Sequence, residues 1–446
     1  MKMIPLLILS FGLSLCATTA KDFLKKKTWE SVRTSKKLST VKVESLDVVR
    51  RSLWKKYKKS LAKDASRLAE HKNQGLKYNG KTMKFSKDVI GKKPKNGYPL
   101  YITLHGGGSG SPAMNDGQWN HMKVYYKGAV KSGVYLAARG VTNTWNLHFV
   151  NESYIFYDRL IENMIAYENV DPNRVYILGF SAGGDGVYQI APRMADRWAA
   201  ANMSAGHHNG VSPRNLYNLP FIAQVGEFDT RFKRHQEAVK FIQKIQGFQE
   251  QEKGRGYTHQ VNVHTGRGHN FPDNDPRMKK YTVIENPLQW LEGEKATAEN
   301  KNTNGIAWVN QYRRKALPSR VIWDVKTRAN RSAEELWKSS SHGKQHYWLA
   351  VDEFPEGEII ARLSKKYNRF TVEKADGDFL LRLSSKKVNF KKPVVVKIAG
   401  KKFKITVKPK LETMVKTLVE RGDPEYIFEA EIQLTQDGAS WTAKQL

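Results

Sequence analysis

The 446-residue sequence contains one cysteine, and it has no long apolar stretch beyond its extreme N-terminus. A single cysteine excludes a disulfide framework and any zinc or iron–sulfur site built from several cysteines. The shortage of apolar runs excludes a bundle of membrane-spanning helices. Collagen-like and heptad compositions are missing too. At about 150 residues per domain, the length indicates two or three domains.

What the chain has is apolar and basic residues. The hydrophobic share of 40% and the aromatic share of 11% are too high for a disordered chain. Lysine and arginine number 75 against 43 acidic residues. The basic and acidic counts are 24 and 7 in residues 21–95, 21 and 18 in 96–295, and 29 and 18 in 296–446. We therefore predict a basic leader (21–95), a nearly neutral domain (96–295) and a basic C-terminal domain (296–446).

The first 20 residues resemble an export signal, with a positive start, the apolar stretch Pro5–Leu15 and small residues at Ala17–Ala20. The apolar stretch is short for a bilayer span, which favours cleavage over anchoring. Lipidation of Cys16 is the alternative, but it needs a small preceding residue where this chain has leucine. We expect residues 1–20 to be removed and the protein to be secreted or periplasmic.

The leader begins with the lysine-rich stretch Lys21–Lys42, which we expect to be mobile. From Leu46 to about His71, apolar residues recur every three or four positions among lysines, which predicts an amphipathic helix. Adhesion to an anionic membrane is one interpretation of this helix. A packed helix with a solvated lysine face is favoured, because the apolar face has few aromatics. Leu76–Phe85 alternates around Asn79-Gly80, which predicts a hairpin.

From Tyr98 onward, short apolar runs alternate with helix-like segments. This alternation predicts a doubly wound α/β domain with a mostly parallel sheet and helices on both faces. In such sheets the chemistry gathers at the loops that follow the strand C-termini. The predicted strands are Pro99–Leu104, Val134–Ala138, Val175–Leu178, Ala200–Met203, Phe221–Val225 and Val261–Val263, and the predicted helices are Glu152–Asn169, Gly183–Arg197 and Phe232–Phe248.

The strongest motif is Gly179-Phe180-Ser181-Ala182-Gly183, which directly follows a predicted strand and opens a helix. A serine in such a sharp strand-to-helix turn presents its hydroxyl at the tip of the sheet. The flanking glycines are needed because a side chain would clash with the tight turn. We predict that Ser181 is a nucleophile. The alternative is an ordinary glycine-rich turn.

His105-Gly106-Gly107-Gly108 stands at the end of an earlier strand. Its glycine N–H groups can approach a developing negative oxygen closely. A phosphate cradle is a competing interpretation, but neither G-x-x-x-x-G-K-[ST] nor a complete G-x-G-x-x-G occurs here. A flexible linker is the remaining alternative.

A general base and an orienting carboxylate should follow later in the chain. Asp229 and His269 lie in loops after predicted strands, and the order Ser, Asp, His suits this architecture. His269 would take the serine proton, and Asp229 would hold its imidazole in the required tautomer. Glu227 is the alternative carboxylate. His259 and His264 are alternative bases, but they lie before or inside a strand.

Together these motifs resemble the α/β-hydrolase fold. The run Asp171–Tyr176 before the serine is similar to secreted polyhydroxybutyrate depolymerase-like and feruloyl or acetylxylan esterase-like enzymes, and to prolyl-oligopeptidase-type catalytic domains. The resemblance covers about residues 96–292. It implies acyl transfer through an acyl-enzyme, an oxyanion hole from backbone N–H groups of Gly106, Gly107 and Ala182, and neither metal nor organic cofactor. The chain departs from secreted depolymerases in lacking cysteines for their usual disulfides.

Substrate contacts are predicted at four residues near this edge, His105, His207, His208 and Trp145. A metal site at the histidine pair is the alternative, but no third ligand stands at helical spacing and H-E-x-x-H is missing. The loop tryptophans Trp119 and Trp145 either stack on a sugar or cover the core edge.

In the C-terminal domain, short apolar runs predict strands, followed by a helix at Leu411–Arg421. This pattern predicts a β-sandwich. Its front carries an aromatic cluster that serves either docking onto a polymer or, as favoured here, the core. The predicted strands are Arg320–Val325, His346–Val351, Ile359–Leu363, Phe370–Glu373, Phe379–Leu383, Val394–Ala399 and Phe403–Val407, and the cluster is Trp308, Tyr312, Trp323, Trp337, Tyr347 and Trp348.

The sequence therefore predicts a secreted serine esterase acting on a carbohydrate ester or a polyester. A secreted serine peptidase of prolyl-oligopeptidase type is the alternative, since it shares the triad. A noncatalytic adhesion protein is disfavoured by the intact Ser181, Asp229 and His269. No nucleic-acid-binding module is recognised. The charge instead indicates attraction to an anionic surface such as polysaccharide, cell wall or lipid.

Overall fold

A computed structural model of the protein describes residues 20–35, 40–325, 343–355 and 357–446. Residues 1–19 of the predicted export signal, Cys16 among them, lie outside the described residues, as does Trp337 of the aromatic cluster. None of the described helices combines the length and the apolar character that crossing a bilayer requires.

The α/β domain is built on a ten-stranded sheet in the order β1-β2-β4-β3-β5-β6-β7-β8-β9-β10. Its strands are β1 Gly75–Tyr78, β2 Lys81–Ile90, β3 Tyr98–Leu104, β4 Gly133–Ala138, β5 Val170–Phe180, β6 Ala200–Ser204, β7 Phe221–Gly226, β8 His259–His264, β9 Lys280–Ile284 and β10 Ala298–Asn302. Six neighbouring strands, β4, β3, β5, β6, β7 and β8, are parallel to one another. At the two edges of the sheet, β1 and β2 and then β9 and β10 are added antiparallel. The predicted α/β fold with a mostly parallel sheet is confirmed.

Helices cover both faces of this sheet because successive strand residues point to opposite sides. Leu100 and Ile102 of β3 belong to one apolar core, which includes the side chains of α6, α7 and α8. Tyr101 between them belongs to a second core with α5 and α10. The helices are α1 Ala20–Lys26, α2 Trp29–Arg33, α3 Leu46–Leu61, α4 Ala65–Lys72, α5 Pro112–Tyr125, α6 Asn151–Tyr167, α7 Ala182–Arg193, α8 Arg234–Gln251, α9 Pro287–Leu291, α10 Gly305–Val309 and α11 Leu411–Arg421.

The leader differs in part from its prediction. The hairpin is confirmed, with Asn79 and Gly80 at φ of 47° and 69°, the positive values that a type I′ turn needs. The expected single helix is two, α3 and α4, because Asp64 interrupts it and caps α4 by accepting the Arg67 N–H at 3.0 Å. The apolar side of α3 is buried, as expected of a packed helix. The stretch expected to be mobile contains α1 and α2, with Val32 fully buried.

The C-terminal domain consists of two five-stranded sheets that share one apolar core. The predicted β-sandwich is confirmed, and Trp323, Tyr347 and Trp348 lie in its core, 1% exposed each, as the favoured interpretation requires. The first sheet is β11 Arg320–Asp324, β14 Glu358–Ser364, β15 Arg369–Ala375, β17 Val394–Ile398 and β18 Lys401–Ile405, and the second is β12 Gln345–His346, β13 Leu349–Ala350, β16 Phe379–Leu383, β19 Ala430–Asp437 and β20 Ser440–Gln445.

A buried ion cluster joins this domain to the α/β domain. Asp423, just after α11, accepts hydrogen bonds from Arg314 at 2.8 Å and from Arg197, beyond the end of α7, at 3.3 Å. Arg421 donates to Asp196 at 2.9 Å. All five side chains are almost fully buried. The cluster therefore links charged side chains of the two domains, and Arg197 also pairs with Asp158 of α6.

Candidate active site

Ser181 lies at the turn between β5 and α7 with φ of 58° and ψ of −121°. This backbone region is unfavourable for a residue other than glycine, and such strain is concentrated at functional sites. A Cβ on Gly179 would lie 2.2 Å from the Gly183 carbonyl oxygen, and one on Gly183 would lie 2.1 Å from that of Leu104. The glycines are thus required by close backbone contacts around the serine.

The structure brings Ser181, His269 and Asp229 into one hydrogen-bonded chain. His269 Nε2 lies 3.0 Å from Ser181 Oγ, and its Nδ1 lies 2.8 Å from Asp229 Oδ2. A buried carboxylate accepts, so Nδ1 carries the proton and Nε2 faces the hydroxyl with its lone pair. The His269 side chain is 38% exposed, whereas that of Asp229 is 2% exposed. This is the arrangement that nucleophilic catalysis by serine needs.

The alternative carboxylate and the two alternative bases each have other partners. Glu227 accepts the Gly266 N–H at 2.8 Å, which fixes it on the neighbouring loop. His264 is buried against Phe271, and burial lowers its pKa to about 3. His259 bonds through Nδ1 to the Tyr257 carbonyl at 2.7 Å.

Gly106, Gly107 and Ala182 line the same cavity as Ser181. Gly107 has φ of 102°, and a Cβ on Gly106 would lie 3.3 Å from the Ser181 Cβ, so the glycine loop passes directly beside the serine. Ala182 is the first residue of α7, where N–H groups have no intrahelical acceptor. The arrangement suits stabilisation of an oxyanion.

The cavity in front of the triad has a volume of about 830 Å³. Trp145, 51% exposed, and Phe232, 60% exposed and two residues before α8, both line it. Met114 and Tyr125 from α5 add apolar surface. The sequence analysis placed Trp145 at this site but missed the part of the wall formed by α5, because that segment was taken as a loop.

Three predicted substrate contacts do not line the cavity. His105 is fully buried, with Nδ1 2.6 Å from the Gly106 carbonyl and Nε2 accepting the Gly140 N–H at 3.0 Å. His208 is buried and lies 2.9 Å from Glu237 Oε2, and His207 stacks on it. The buried rings of His105 and His208 are withdrawn from a substrate in this cavity, whereas a substrate contact at half-buried His207 stays a prediction. Trp119 is on α5, outside the cavity, with its indole N–H bonded to the Ala137 carbonyl.

Three charged residues of the cavity, Asp185, Arg231 and Arg234, escaped the sequence analysis. Arg234, the first residue of α8, places Nη1 3.7 Å from Asp229 Oδ1. Asp185 stands one helical turn after Ser181 and accepts the His207 N–H at 2.6 Å. Burial raises the pKa of Asp185 to about 6. Its spacing of four residues from the serine was the available signal.

Within the described part of the chain, no group of three or more His, Cys, Asp or Glu residues is placed to hold a metal ion. The site therefore brings a serine hydroxyl, an imidazole, a carboxylate and backbone N–H groups together around one cavity.

Comparison with known proteins supports the fold. Residues 138–313, which contain Ser181, Asp229 and His269, match the dienelactone hydrolase family. No curated protein sequence matches the chain. Together with the sheet topology, the family match confirms the expected α/β-hydrolase fold.

Solved structures show distant likenesses. A thermostable esterase is 18% identical, with a TM-score of 0.39 over 54% of this chain and 62% of that chain. The poly(3-hydroxybutyrate) depolymerase LpqC from Bordetella parapertussis is 15% identical, with a TM-score of 0.34 over 52% of this chain and 89% of that chain. An acetyl xylan esterase from Aspergillus awamori is 12% identical, with a TM-score of 0.34 over 48% of this chain and 94% of that chain. The present chain thus spans 62% of the length of the thermostable esterase.

Proposed function

We propose that this α/β-hydrolase, a carboxylic ester hydrolase by its family match, cleaves its substrate through an acyl-enzyme on Ser181. The observation that carries the proposal is the chain of contacts from Ser181 Oγ through His269 to Asp229, at 3.0 and 2.8 Å. The strained backbone of Ser181 adds support, since it aims the hydroxyl into the cavity rather than along the helix.

In the first half of the reaction, His269 Nε2 takes the Ser181 proton while Oγ attacks the carbonyl carbon of the ester. The carbonyl oxygen gains negative charge in front of the N–H groups of Ala182 and the glycine loop. The imidazolium then protonates the leaving alkoxide, and the alcohol departs. Asp229 stabilises the imidazolium through Nδ1.

In the second half, His269 removes a proton from water, and the hydroxide attacks the acyl carbon. The intermediate collapses, the carboxylic acid is released, and Ser181 regains its proton. The side chain of His269, 38% exposed, allows water to reach Nε2 once the alcohol has gone.

For the substrate we propose an ester of a carbohydrate or a polyester unit. A cavity of about 830 Å³ holds more than a short acyl chain, and Trp145 and Phe232 present aromatic faces at its edge. Exposed aromatic faces next to a nucleophile suit packing against a sugar ring or an aromatic acyl group.

We also propose that the protein is exported and that residues 1–20 are its signal. Protein recovered from outside the producing cells should begin at Lys21. An intact Met1 on protein confined to the cytosol would contradict export.

Hydrolysis of p-nitrophenyl esters, set against peptide p-nitroanilides, tests the chemistry. We expect the esters to turn over, Ser181→Ala to abolish turnover, and a fluorophosphonate to label the parent protein but not the variant. Ser109→Ala is the matched control, because Ser109 lines the same cavity without a hydrogen bond to His269 in the described structure.

Faster amide than ester hydrolysis would replace the esterase with a peptidase. Folded protein that hydrolyses neither substrate and resists the fluorophosphonate would overturn an enzymatic role altogether. Acetylated xylan, feruloylated oligosaccharide and polyhydroxybutyrate then separate the substrate classes, and the one that yields free acid identifies the natural ester.

A further inference from the structure

A second cleft, of about 840 Å³, lies among the N-terminal helices and has no lining residue in common with the catalytic cavity. It is bounded by the end of α1, by α2, by α3 and by the turn before α4. Six cationic side chains line it: Lys25, Lys27, Arg33, Lys56, Lys59 and Lys63. Two acidic residues accompany them, so the cleft is strongly positive.

Both acidic residues are already engaged. Glu30 bonds to Arg33 at 2.6 Å, and Asp64 accepts the Arg67 N–H as the cap of α4. Lys56 donates to the Lys27 carbonyl at 2.6 Å, which ties α3 to the end of α1. In the described structure, the ammonium groups of the other four lysines have no carboxylate partner. These four, Lys25, Lys27, Lys59 and Lys63, are the free cations of the cleft.

An aromatic ring lies among these cations. Trp29 is half-buried, and its ring meets that of Tyr57 edge to face with centroids 5.1 Å apart. Tyr57 is itself fixed by a hydrogen bond from its hydroxyl to Glu162 of α6. The indole is therefore held in place beside exposed lysine side chains, which combines an apolar face with unpaired positive charge.

We infer that this cleft binds an acidic polysaccharide, a chain of sugar units carrying carboxylates or sulfates. The apolar face of a sugar ring would pack on Trp29, and the anionic groups would meet the four free lysines. The 24 basic residues against 7 acidic ones in residues 21–95 provide long-range attraction for such a polymer.

Two other anionic partners fit less well. Five of the six cleft cations are lysines, and Arg33 is committed to Glu30, whereas nucleic-acid phosphates are typically gripped by bidentate arginines. A membrane surface is bound by exposed apolar side chains beside the charges. Among the described side chains of residues 20–72, none is an exposed large hydrophobic.

Because the cleft and the catalytic cavity are separate, both are able to bind at once. Occupation of the cleft would hold the enzyme on a polymer while the cavity remains free for an ester. The inference does not depend on the reaction, so Ser181→Ala should bind the polysaccharide as the parent protein does.

Affinity electrophoresis or fluorescence anisotropy with the full mature chain tests the inference. The probes are polygalacturonate and dextran sulfate, with neutral dextran, duplex DNA and phosphatidylglycerol vesicles for comparison. We expect at least one acidic polysaccharide to bind, with an affinity that falls as salt screens the charges. Replacing the four free lysines by glutamine should weaken binding roughly tenfold or more, as the loss of several ion pairs implies.

The matched control replaces four exposed lysines of the C-terminal domain, Lys401, Lys402, Lys404 and Lys408, by glutamine. It removes the same charge and should leave binding within about twofold. Trp29→Leu should weaken binding at unchanged net charge. Thermal melting shows that each variant folds, and ester turnover of the cleft variants should match the parent.

Equal weakening by the control variant would replace the cleft with a diffuse charge effect and overturn the inference. So would failure of both acidic polysaccharides to bind at low salt. Tighter binding of DNA or of the vesicles at the same ionic strength would assign the cleft to that partner instead.

Discussion

Arg234 Nη1 lies 3.7 Å from Oδ1 of Asp229, the carboxylate oxygen that His269 does not contact. Asp229 is thus held from two sides, by the imidazole and by a guanidinium that is itself almost buried. Arg234 Nε has no hydrogen-bond partner in the described structure. A buried carboxylate needs such compensation, because burial of an unpaired charge is costly.

Arg234→Met should therefore lower kcat/KM for a p-nitrophenyl ester by about tenfold, since Asp229 loses part of what orients it. Arg234→Lys should recover part of the loss. Arg231→Met is the control, because Arg231 lines the same cavity without an ion pair to Asp229 in the described structure. If both methionine variants lose activity equally, the cavity wall matters and the contact with Asp229 does not.

Asp229→Asn should lower kcat by about 10⁴-fold, because the amide no longer holds the imidazole in the tautomer that accepts the serine proton. Glu227→Gln should leave kcat near that of the parent, since Glu227 only accepts a hydrogen bond from the Gly266 N–H. Steady-state kinetics on the same ester compares the two. The reverse ranking would reassign the orienting carboxylate.

Gly107→Ala should reduce kcat by about 10²- to 10³-fold, the typical effect of losing an oxyanion donor. The new Cβ would lie 2.5 Å from Asn115 Oδ1, at a φ of 102°, so the loop has to shift. Gly117→Ala on α5 is the control, because its Cβ meets nothing within 4 Å. That variant should retain activity and gain about 0.5–1 kcal/mol in unfolding free energy.

Asp185 should make the protein less stable as pH rises from about 4 to above 6. Its pKa is raised by burial from 3.8 to about 6, so the folded state binds a proton more tightly than the unfolded state in this window. Asp185→Asn removes that effect. The unfolding free energy of this variant minus that of the parent should therefore increase between pH 4 and pH 6, by less than about 3 kcal/mol. Urea denaturation at a series of pH values measures this difference. A constant difference at every pH would contradict this.

Asp423→Asn should lower the unfolding free energy by about 3 kcal/mol, because Arg197 and Arg314 would remain buried without their shared carboxylate. Denaturant unfolding followed by tryptophan fluorescence measures the loss. Asp437→Asn, at the exposed end of β19, should change it by less than about 0.5 kcal/mol. Equal effects would show that the cluster contributes nothing special to the domain contact.

Local patterns sufficed for much of the fold. The runs Val134–Ala138 and Phe221–Val225 became β4 and β7 with bounds shifted by one residue, because buried parallel strands are short and continuously apolar. The helix α5 was missed, since Gly117 and several polar residues mask its periodicity. Strand β10 was missed because it has no buried residue and carries mainly polar ones, and β9 because only its last two residues, Val283 and Ile284, are buried and apolar.

The histidines illustrate the limit for the site. His105 and His269 each stand beside glycines after a strand, and sequence made both candidates for chemistry. In the structure one ring is fully buried with both nitrogens bonded to backbone, and the other faces Ser181. Arg234 and the cations around Trp29 carry no motif at all, because their roles depend on neighbours distant in sequence.

The sequence by itself determined the strand-turn-helix around Ser181 and the order in which its partners follow, because glycine requirements and apolar runs act over a few residues. Only the tertiary structure decided which histidine meets the serine, which carboxylate meets that histidine, and where the unpaired charges collect. Those outcomes depend on distances between loops from separate strands, which the packing of the whole sheet sets.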